Sequence, residues 1–270
     1  MGEIDKMNKT MKNTIKRLLL RVMHPKQYTL FLYQYHKLMG HLDREMYFIG
    51  KFTNKRRIAI DVGANIGMYT VYLAKLFNTI YSFEPIPALA NDLAASKIKN
   101  NFVYNVGLAE ENSKRELKIP YNNITREALY AWAYFNSEHI ERLFLKGESI
   151  IVDCRTLDSY CFSDVDFIKI DVEGYELNIL IGAKDTINKY KPILLIEVPS
   201  GRKDRNNILN YLNDMGYYGY FIKNNKIKSL NEFDFKTEMF KEEHQAPDCI
   251  VNFFFAHNSC DLRKYTFNHR

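Results

Sequence analysis

The chain has 270 residues, of which 46% are hydrophobic, so it can bury one large core and is best interpreted as a single decorated domain. No apolar run reaches the roughly 18 residues that span a bilayer, and Leu18 to Leu20 is too short for a signal-peptide core, which predicts a cytoplasmic protein. The four cysteines contain no C-x-x-C pair, so neither a zinc knuckle nor a disulfide framework is indicated.

The net charge of +6 is concentrated at the N-terminus, where residues 1–60 carry 13 Lys and Arg against four acidic residues. We therefore predict a basic helical extension over residues 1–55. Apolar residues recur at i, i+3, i+4 and i+7 from Ile15 to Val22, as in an amphipathic helix. Residues 8–26 fit a peripheral contact with the inner membrane surface, whereas the more ordinary interpretation is docking on the same domain or on a second subunit of a homo-oligomer. A further helical stretch, residues 28–52, is predicted to cover part of a sheet or to form a subunit contact.

A strand, a glycine turn and a helix start are predicted over residues 58–67, the geometry with which α/β proteins hold a nucleotide-like cofactor. Gly63 and Gly67 are four residues apart, and the G-x-G-x-x-G spacing that packs against a dinucleotide pyrophosphate is absent, which favours S-adenosylmethionine over NAD. The glycines let the backbone approach the methionyl portion, and the N–H groups near Gly67 face its carboxylate. A packing role for both glycines is the alternative. Asp61 is predicted to face the positive amino or sulfonium group, or else to cap its strand through hydrogen bonds.

The second predicted strand, Ile80 to Phe83, ends in Glu84-Pro85. Glu84 lies 23 residues after Asp61, a spacing that places an acidic side chain at the tip of the neighbouring strand, where it accepts hydrogen bonds from a ribose diol. Pro85 ends the strand and turns the chain into a helix. A third strand is predicted over residues 102–108, with its end beside the adenine. An irregular section, residues 110–148, then precedes a strand over residues 150–157.

Charged residues also follow two later strands. The run from Asp166 onwards predicts a buried strand that emerges into Asp171, Glu173 and a turn at Gly174, and Pro192 introduces a further strand that carries Glu197 at its end. Because the carboxyl ends of parallel strands line one crevice, Asp61 and these three carboxylates are expected to converge there. The predicted cofactor-binding residues are Asp61, Gly63, Ala64, Asn65, Gly67, Glu84, Pro85 and Asp171.

Four stretches of residues 57–198 resemble, in order, the signatures of FkbM-type methyltransferases: AIDVGANIGMYT, SFEPIPAL, FIKIDVEGYELNILIGA and KPILLIEV. The resemblance implies a class I, S-adenosylmethionine-dependent O-methyltransferase, with S-adenosylhomocysteine as its product and an α/β, Rossmann-like, doubly wound sheet of seven strands. The domain would cover residues 56–258, followed by a tail at 259–270, and its last two strands would be residues 217–222 and an antiparallel strand at 250–256. Members of this family mostly modify hydroxyls of sugars, glycans and natural products, so a sugar, glycan or nucleotide-sugar is the implied substrate.

Catalysis is assigned to four residues, Lys169, Asp171, Glu173 and Glu197. Asp171 or Glu173 would accept the hydroxyl proton or orient the substrate, because an unactivated alcohol gains from a base. Lys169 would pair with them or stabilise an alkoxide, and a purely structural salt bridge is the alternative. Glu197 either fixes the loop or touches the substrate. The carboxylates are compatible with Mg²⁺, but no histidine joins them, so a metal site is not predicted. His244 and His257 are placed near the predicted crevice end of the C-terminal elements or beyond it, and neither has an assigned role.

Two absences narrow the chemistry to oxygen. The loop after Asp171 lacks the Pro-Pro-aromatic sequence of enzymes that methylate planar amines, and it contains no cysteine for covalent attack on a pyrimidine. An aromatic lid is predicted over Tyr121 to Phe135, where Trp132 or a tyrosine would stack on a sugar, or fill the core instead. The basic loop Ser200 to Lys203 would contact a phosphate or remain solvated. The alternatives are an RNA-directed methyltransferase that uses the basic arm, although nucleic acid is disfavoured, and a non-catalytic binding protein.

Overall fold

Two β-sheets organise the residues that the computed structural model describes, which are 25–123, 127–135, 146–198, 205–235 and 250–264. The larger sheet has eight strands and the smaller has three. The strands are β1 (Ile58–Val62), β2 (Thr79–Phe83), β3 (Asn101–Tyr104), β4 (Gly107–Leu108), β5 (Ser113–Pro120), β6 (Gly147–Arg155), β7 (Val165–Ile170), β8 (Ile193–Glu197), β9 (Tyr217–Lys223), β10 (Lys226–Ser229) and β11 (Asn252–His257).

The larger sheet has the order β10-β9-β11-β8-β7-β1-β2-β3. The five strands from β8 to β3 pair in parallel, and β11 runs antiparallel between β8 and β9. This confirms the doubly wound α/β class and the antiparallel final strand. The strand order reverses between β1 and β7, and the crevice at such a switch point is where open α/β sheets bind ligands.

The predicted count of seven strands is wrong by one, because β10 adds an eighth strand to the edge of the sheet. It pairs antiparallel with β9 across the two-residue turn Asn224-Asn225. Both asparagines have positive φ, of 52° and 55°, which is the backbone of the tight turns that match the twist of a hairpin.

The prediction for residues 102–157 is corrected by the smaller sheet, whose order is β4-β6-β5. The predicted third strand is divided into β3, which stays in the larger sheet, and β4, which does not. The predicted strand at 150–157 is β6. It pairs with β5, which lies inside the section that was expected to be irregular. Leu117 and Ile119 of β5 are buried while charged neighbours face outwards, so this sheet buries one face only.

Helices cover both faces of the larger sheet. They are α1 (Pro25–Leu38), α2 (Met46–Phe52), α3 (Met68–Leu73), α4 (Pro87–Ala95), α5 (Glu176–Gly182), α6 (Lys184–Tyr190) and α7 (Arg205–Asp214). The helical stretch expected over 28–52 is two helices, separated near Gly40, whose φ is +68°. It covers the sheet as predicted, since the ring of Phe52 packs edge-on against Phe254 of β11 with 4.8 Å between centroids.

Several predictions fall outside the described residues. They include most of the amphipathic segment 8–26, the loop Ser200 to Lys203 and the end of the tail after residue 264. Within the part of the chain that the structure describes, no helix is long and apolar enough to cross a membrane. Leu262, in the described part of the tail, is fully buried and packs in the same core as the N-terminal helices.

Candidate functional site

The glycine turn after β1 is held against the end of β7. Gly63 has φ of +74°, and a Cβ atom there would overlap the backbone carbonyl oxygen of Asp171. The N–H groups of Gly63 and Ala64 both donate to the carbonyl oxygen of Phe83, at 3.0 and 3.1 Å. Only glycine therefore fits at this position, because both its backbone conformation and its surroundings exclude a side chain. The turn joins the ends of three strands, β1, β2 and β7.

The second glycine of the motif serves packing. Gly67 has φ of +83°, and a Cβ atom there would overlap the Leu93 side chain of α4 and approach Thr29 of α1 to 3.1 Å. The packing alternative that the sequence left open therefore describes Gly67. The predicted contact of its neighbouring N–H groups with a cofactor carboxylate stays a prediction.

Glu84 lies at the end of β2 beside the glycine turn, where the spacing predicted it. One carboxylate oxygen accepts from the backbone N–H of Asn65 at 2.8 Å, and the other accepts from that of Ile86 at 2.9 Å. The side chain is buried, and this burial raises its pKa to about 7. Each oxygen keeps a second lone pair, so the carboxylate can still accept from a diol. The ribose contact itself stays a prediction.

A cleft of about 490 Å³, open to solvent, lies over these strand ends. Residues after β1, β2 and β7 form its floor, and the segment 130–135 forms an aromatic wall. The lining residues are Gly63, Asn65, Glu84, Pro85, Ile86, Leu117, Tyr130, Ala131, Ala133, Tyr134, Phe135, Asp171, Val172, Glu173 and Tyr175. Three of these described residues are acidic and none is basic. The predicted aromatic segment thus lies at the cleft, although Trp132 is not among the lining residues.

Lys169 is the centre of a buried charge cluster beside the cleft. Its Nζ lies 2.9 Å from Asp171 Oδ2 and 3.7 Å from Asp61 Oδ1. The ammonium also lies over the ring of Tyr69, 4.7 Å from its centroid. Asp61 is fully buried and accepts a 2.6 Å hydrogen bond from the Thr70 hydroxyl. The convergence of Asp61 and Asp171 is therefore confirmed, with the lysine between them.

Asp61 does not line the cleft directly. Its carboxylate is not among the lining groups and instead holds the buried lysine from below. The predicted contact with the positive group of a cofactor stays a prediction. The contact that the structure contains is electrostatic support of Lys169, which is itself almost completely buried.

Asp171 and Glu197 form a pair in which the two carboxyl groups titrate differently. Burial acts to raise the pKa of Asp171, but the Lys169 ammonium and a hydrogen bond from Glu197 lower it below its ordinary value. Burial and the Asp171 charge raise the pKa of Glu197 well above its ordinary value. The proton that the two carboxyl groups share therefore belongs preferentially to Glu197, which donates it in a hydrogen bond to Asp171.

Glu173 lines the cleft, and its charge contributes to the raised pKa of Glu197. The adjoining turn depends on Gly174, whose φ is +101°. The next residue, Tyr175, also lines the cleft, and its hydroxyl donates to Glu110 Oε2 at 3.0 Å and contacts Arg115. Sequence reasoning assigned no role to Tyr69, Thr70 and Tyr175, although all three lie inside the signature stretches that resemble the family. Their position in those stretches is the signal that could have identified them.

The prediction that His257 lies near the crevice end is wrong. Because β11 runs antiparallel, its first residue, Asn252, pairs with Glu197 at the crevice. His257 pairs with Tyr217 at the opposite edge of the sheet. His244 lies outside the described residues.

The described ranges contain no group of three His, Cys, Asp or Glu side chains arranged to hold a metal ion. At the predicted carboxylate cluster, the cation beside Asp171 is the ammonium of Lys169. Among the cysteines that the structure describes, Cys154 and Cys161 are free thiols.

Comparison with known proteins supports the resemblance seen in the sequence. The family model described as "Methyltransferase FkbM domain" matches residues 61–218, which is more than half of the chain. A curated relative, Methyltransferase 1 of Beauveria bassiana (strain ARSEF 2860), is 27% identical in an alignment of 144 residues that covers 47% of this chain and 58% of that protein.

Solved structures with a similar arrangement include methyltransferase FkbM from Methylobacillus flagellatus KT, with a TM-score of 0.47 and 17% identity over 90% of this chain and 57% of that one. Another is a Streptococcus mutans protein assigned as a methyltransferase and solved in complex with SAH, with a TM-score of 0.44 and 12% identity over 80% of this chain and 98% of that one. The chain thus spans somewhat more than half the length of the Beauveria bassiana protein and of the Methylobacillus flagellatus protein. From the match over residues 61–218, the chain belongs to the family of methyltransferases with an FkbM domain.

Proposed function

We propose that the protein is an S-adenosylmethionine-dependent O-methyltransferase whose acceptor is a hydroxyl of a sugar, a glycan or a related small molecule. One observation carries this proposal. The cleft at the ends of β1, β2 and β7 combines three carboxylates with an aromatic wall, and none of its described lining residues is basic. Such a surface suits a cationic donor and an uncharged polyol better than it suits a polyphosphate.

The residues present fit S-adenosylmethionine by their chemistry. Glu84 offers acceptor lone pairs for a ribose diol, and Pro85, Ile86 and Leu117 supply apolar surface for a purine ring. The acidic lining complements the positive sulfonium and ammonium groups. When bound, the cofactor supplies an electrophilic methyl group.

Asp171 is the residue best placed to receive the acceptor. It lines the cleft, and Lys169 and Glu197 hold its carboxylate from behind. Its lowered pKa keeps it ionised, so it orients a substrate hydroxyl as a hydrogen-bond acceptor but is a weak base. Much of the rate would then come from alignment of the oxygen rather than from proton abstraction. Glu173 is the second cleft carboxylate within reach of this position.

The aromatic wall supports a sugar acceptor. Tyr130, Tyr134 and Phe135 line the cleft, and the ring of Phe135 is fixed by Tyr175 at 5.0 Å between centroids. Aromatic rings present a flat apolar face to the C–H face of a sugar, while the tyrosine hydroxyls supply polar contacts. A planar nucleobase would stack on the same wall, but the described lining offers its phosphates no basic side chain.

The cofactor part of the proposal is tested by titration calorimetry with S-adenosylmethionine. We expect Glu84→Ala to weaken binding by more than tenfold, because it removes the carboxylate predicted to accept the ribose diol. Glu116→Ala, which removes an exposed glutamate of β5 outside the cleft, is the matched control and should bind like the wild type. Equal affinities for the two variants would overturn the cofactor site.

The acceptor part is tested separately by measuring S-adenosylhomocysteine release with panels of sugars, nucleotide-sugars and RNA. We expect turnover with a sugar or related polyol, and loss of at least a hundredfold in kcat for Asp171→Asn at saturating cofactor. Turnover confined to RNA would contradict the acceptor class and leave the cofactor site intact.

A further inference from the structure

We propose that the outward face of helix α1 is a docking surface for an anionic membrane. This inference is independent of the proposed chemistry, because it rests on a surface made by the N-terminal helices. One face of the helix packs on the domain, the opposite face is exposed, and both carry large apolar side chains.

The inner face of α1 anchors it to the domain. Thr29, Leu32 and Tyr33 are buried, and Thr29 lies against the position where Gly67 excludes a side chain. The ammonium of Lys75 lies 3.7 Å from the centroid of the Tyr33 ring. These contacts fix the rotation of the helix about its axis, and with it the residues that face outwards.

The outer face carries large apolar side chains that this packing leaves exposed. Leu38 is 85% exposed, and Phe31 and Tyr35 are exposed within about 60° of it around the helix axis. Leu30 at the side of this face and Met39 just after the end of the helix are also exposed, and exposed Gln34 lies between Leu30 and Leu38. We call this set the α1 stripe: Leu30, Phe31, Tyr35, Leu38 and Met39. Phe31 and Leu38 are seven residues apart and therefore lie almost in line on the helix surface. A contiguous stripe of this kind is characteristic of an interaction surface, whereas single exposed apolar residues are ordinary.

The distribution of charge indicates which kind of partner binds the α1 stripe. Residues 1–60 carry a net charge of +9, which leaves −3 for the rest of the chain. Exposed Lys37 lies on the same helix directly before Leu38, and Lys51, Lys55 and Arg56 are exposed at and after the end of α2. A second copy of the chain facing this surface would bring the same positive charge towards it. An anionic lipid surface instead offers opposite charge to the lysines and an apolar layer to the stripe.

The direct test is cosedimentation of the full chain with vesicles. We expect binding to vesicles that contain phosphatidylglycerol, at least tenfold weaker binding to pure phosphatidylcholine, and a loss of binding as the salt concentration rises. Failure to bind phosphatidylglycerol vesicles at low salt would overturn the proposal.

Two matched double variants test the surface itself. Phe31→Ser with Leu38→Ser removes apolar area from the stripe, whereas Ile151→Ser with Ile181→Ser removes exposed apolar residues elsewhere, and neither changes the charge. The first should lower vesicle binding by tenfold or more, and the second should not. The far-ultraviolet circular dichroism and melting temperature of each variant show that it remains folded. If the stripe variant instead dissociates an oligomer in sedimentation analysis and still binds vesicles, the face belongs to a second copy and the membrane assignment is wrong.

Discussion

Replacing Lys169 by methionine should destabilise the fold strongly, because it leaves the Asp61 carboxylate buried without its counter-charge. Asp61 is fully buried, and its nearest cation is the lysine at 3.7 Å. At an effective dielectric constant of about 20, charges at that distance attract by about 4 kcal/mol. Removing one partner of a buried pair typically costs about 3–5 kcal/mol. Methionine keeps the unbranched stem that packs near Tyr69, so the loss reports charge rather than volume.

The free energy of unfolding is measured by urea denaturation of the wild type, Lys169→Met, Asp61→Asn and the double variant. We expect about 3–5 kcal/mol lost in Lys169→Met, and the double variant to lose at least about 2 kcal/mol less than the sum of the two single variants. Burial already raises the pKa of Asp61, and loss of the lysine raises it further. A carboxyl whose folded pKa is raised destabilises the fold as the pH rises, so the deficit of Lys169→Met should be larger at pH 8 than at pH 5.

A loss below about 1 kcal/mol in Lys169→Met, or strictly additive losses in the double variant, would refute this account of the buried pair. A deficit that does not depend on pH would show that Asp61 remains ionised in the folded variant. The lysine would then not be the reason why this carboxylate is tolerated inside the protein.

Two other substitutions test single features of the site. Burial raises the pKa of Glu84 from an ordinary 4.5 to about 7, which removes about 3 kcal/mol of stability as the pH rises through that interval. Glu84→Gln should flatten this decline in urea denaturation at pH 5 and 8, and an unchanged slope would show that the carboxyl titrates normally. Gly67→Ala should lower the melting temperature more than Gly40→Ala, because both have positive φ but only the first would meet a neighbouring side chain. Equal losses would mean that the packing of α3 on α4 relaxes freely.

Local sequence patterns were sufficient to predict the parallel strands and the turns that follow them. The apolar runs before Asp61, Glu84 and Asp171 each form a strand, because a strand buried on both faces is continuously apolar and ends where polar residues begin. The smaller sheet escaped prediction because β5 and β6 are joined by pairing between distant residues. The sequence predicts β6 as a strand, but the alternation of β5 resembles a surface loop until its partner strand is known.

The strand pattern in the sequence was enough to predict which charged residues meet. Parallel strands share one carboxyl edge, so the carboxylates after β1, β2, β7 and β8 had to converge, together with a glycine turn that no side chain could occupy. The environment of each of these residues depends on the folded structure. It buries Asp61 beneath Lys169, lowers the pKa of Asp171 while it raises that of Glu197, and assigns Gly67 to helix packing. These states depend on burial and on distances of a few ångströms between residues far apart in the chain, which sequence spacing does not specify.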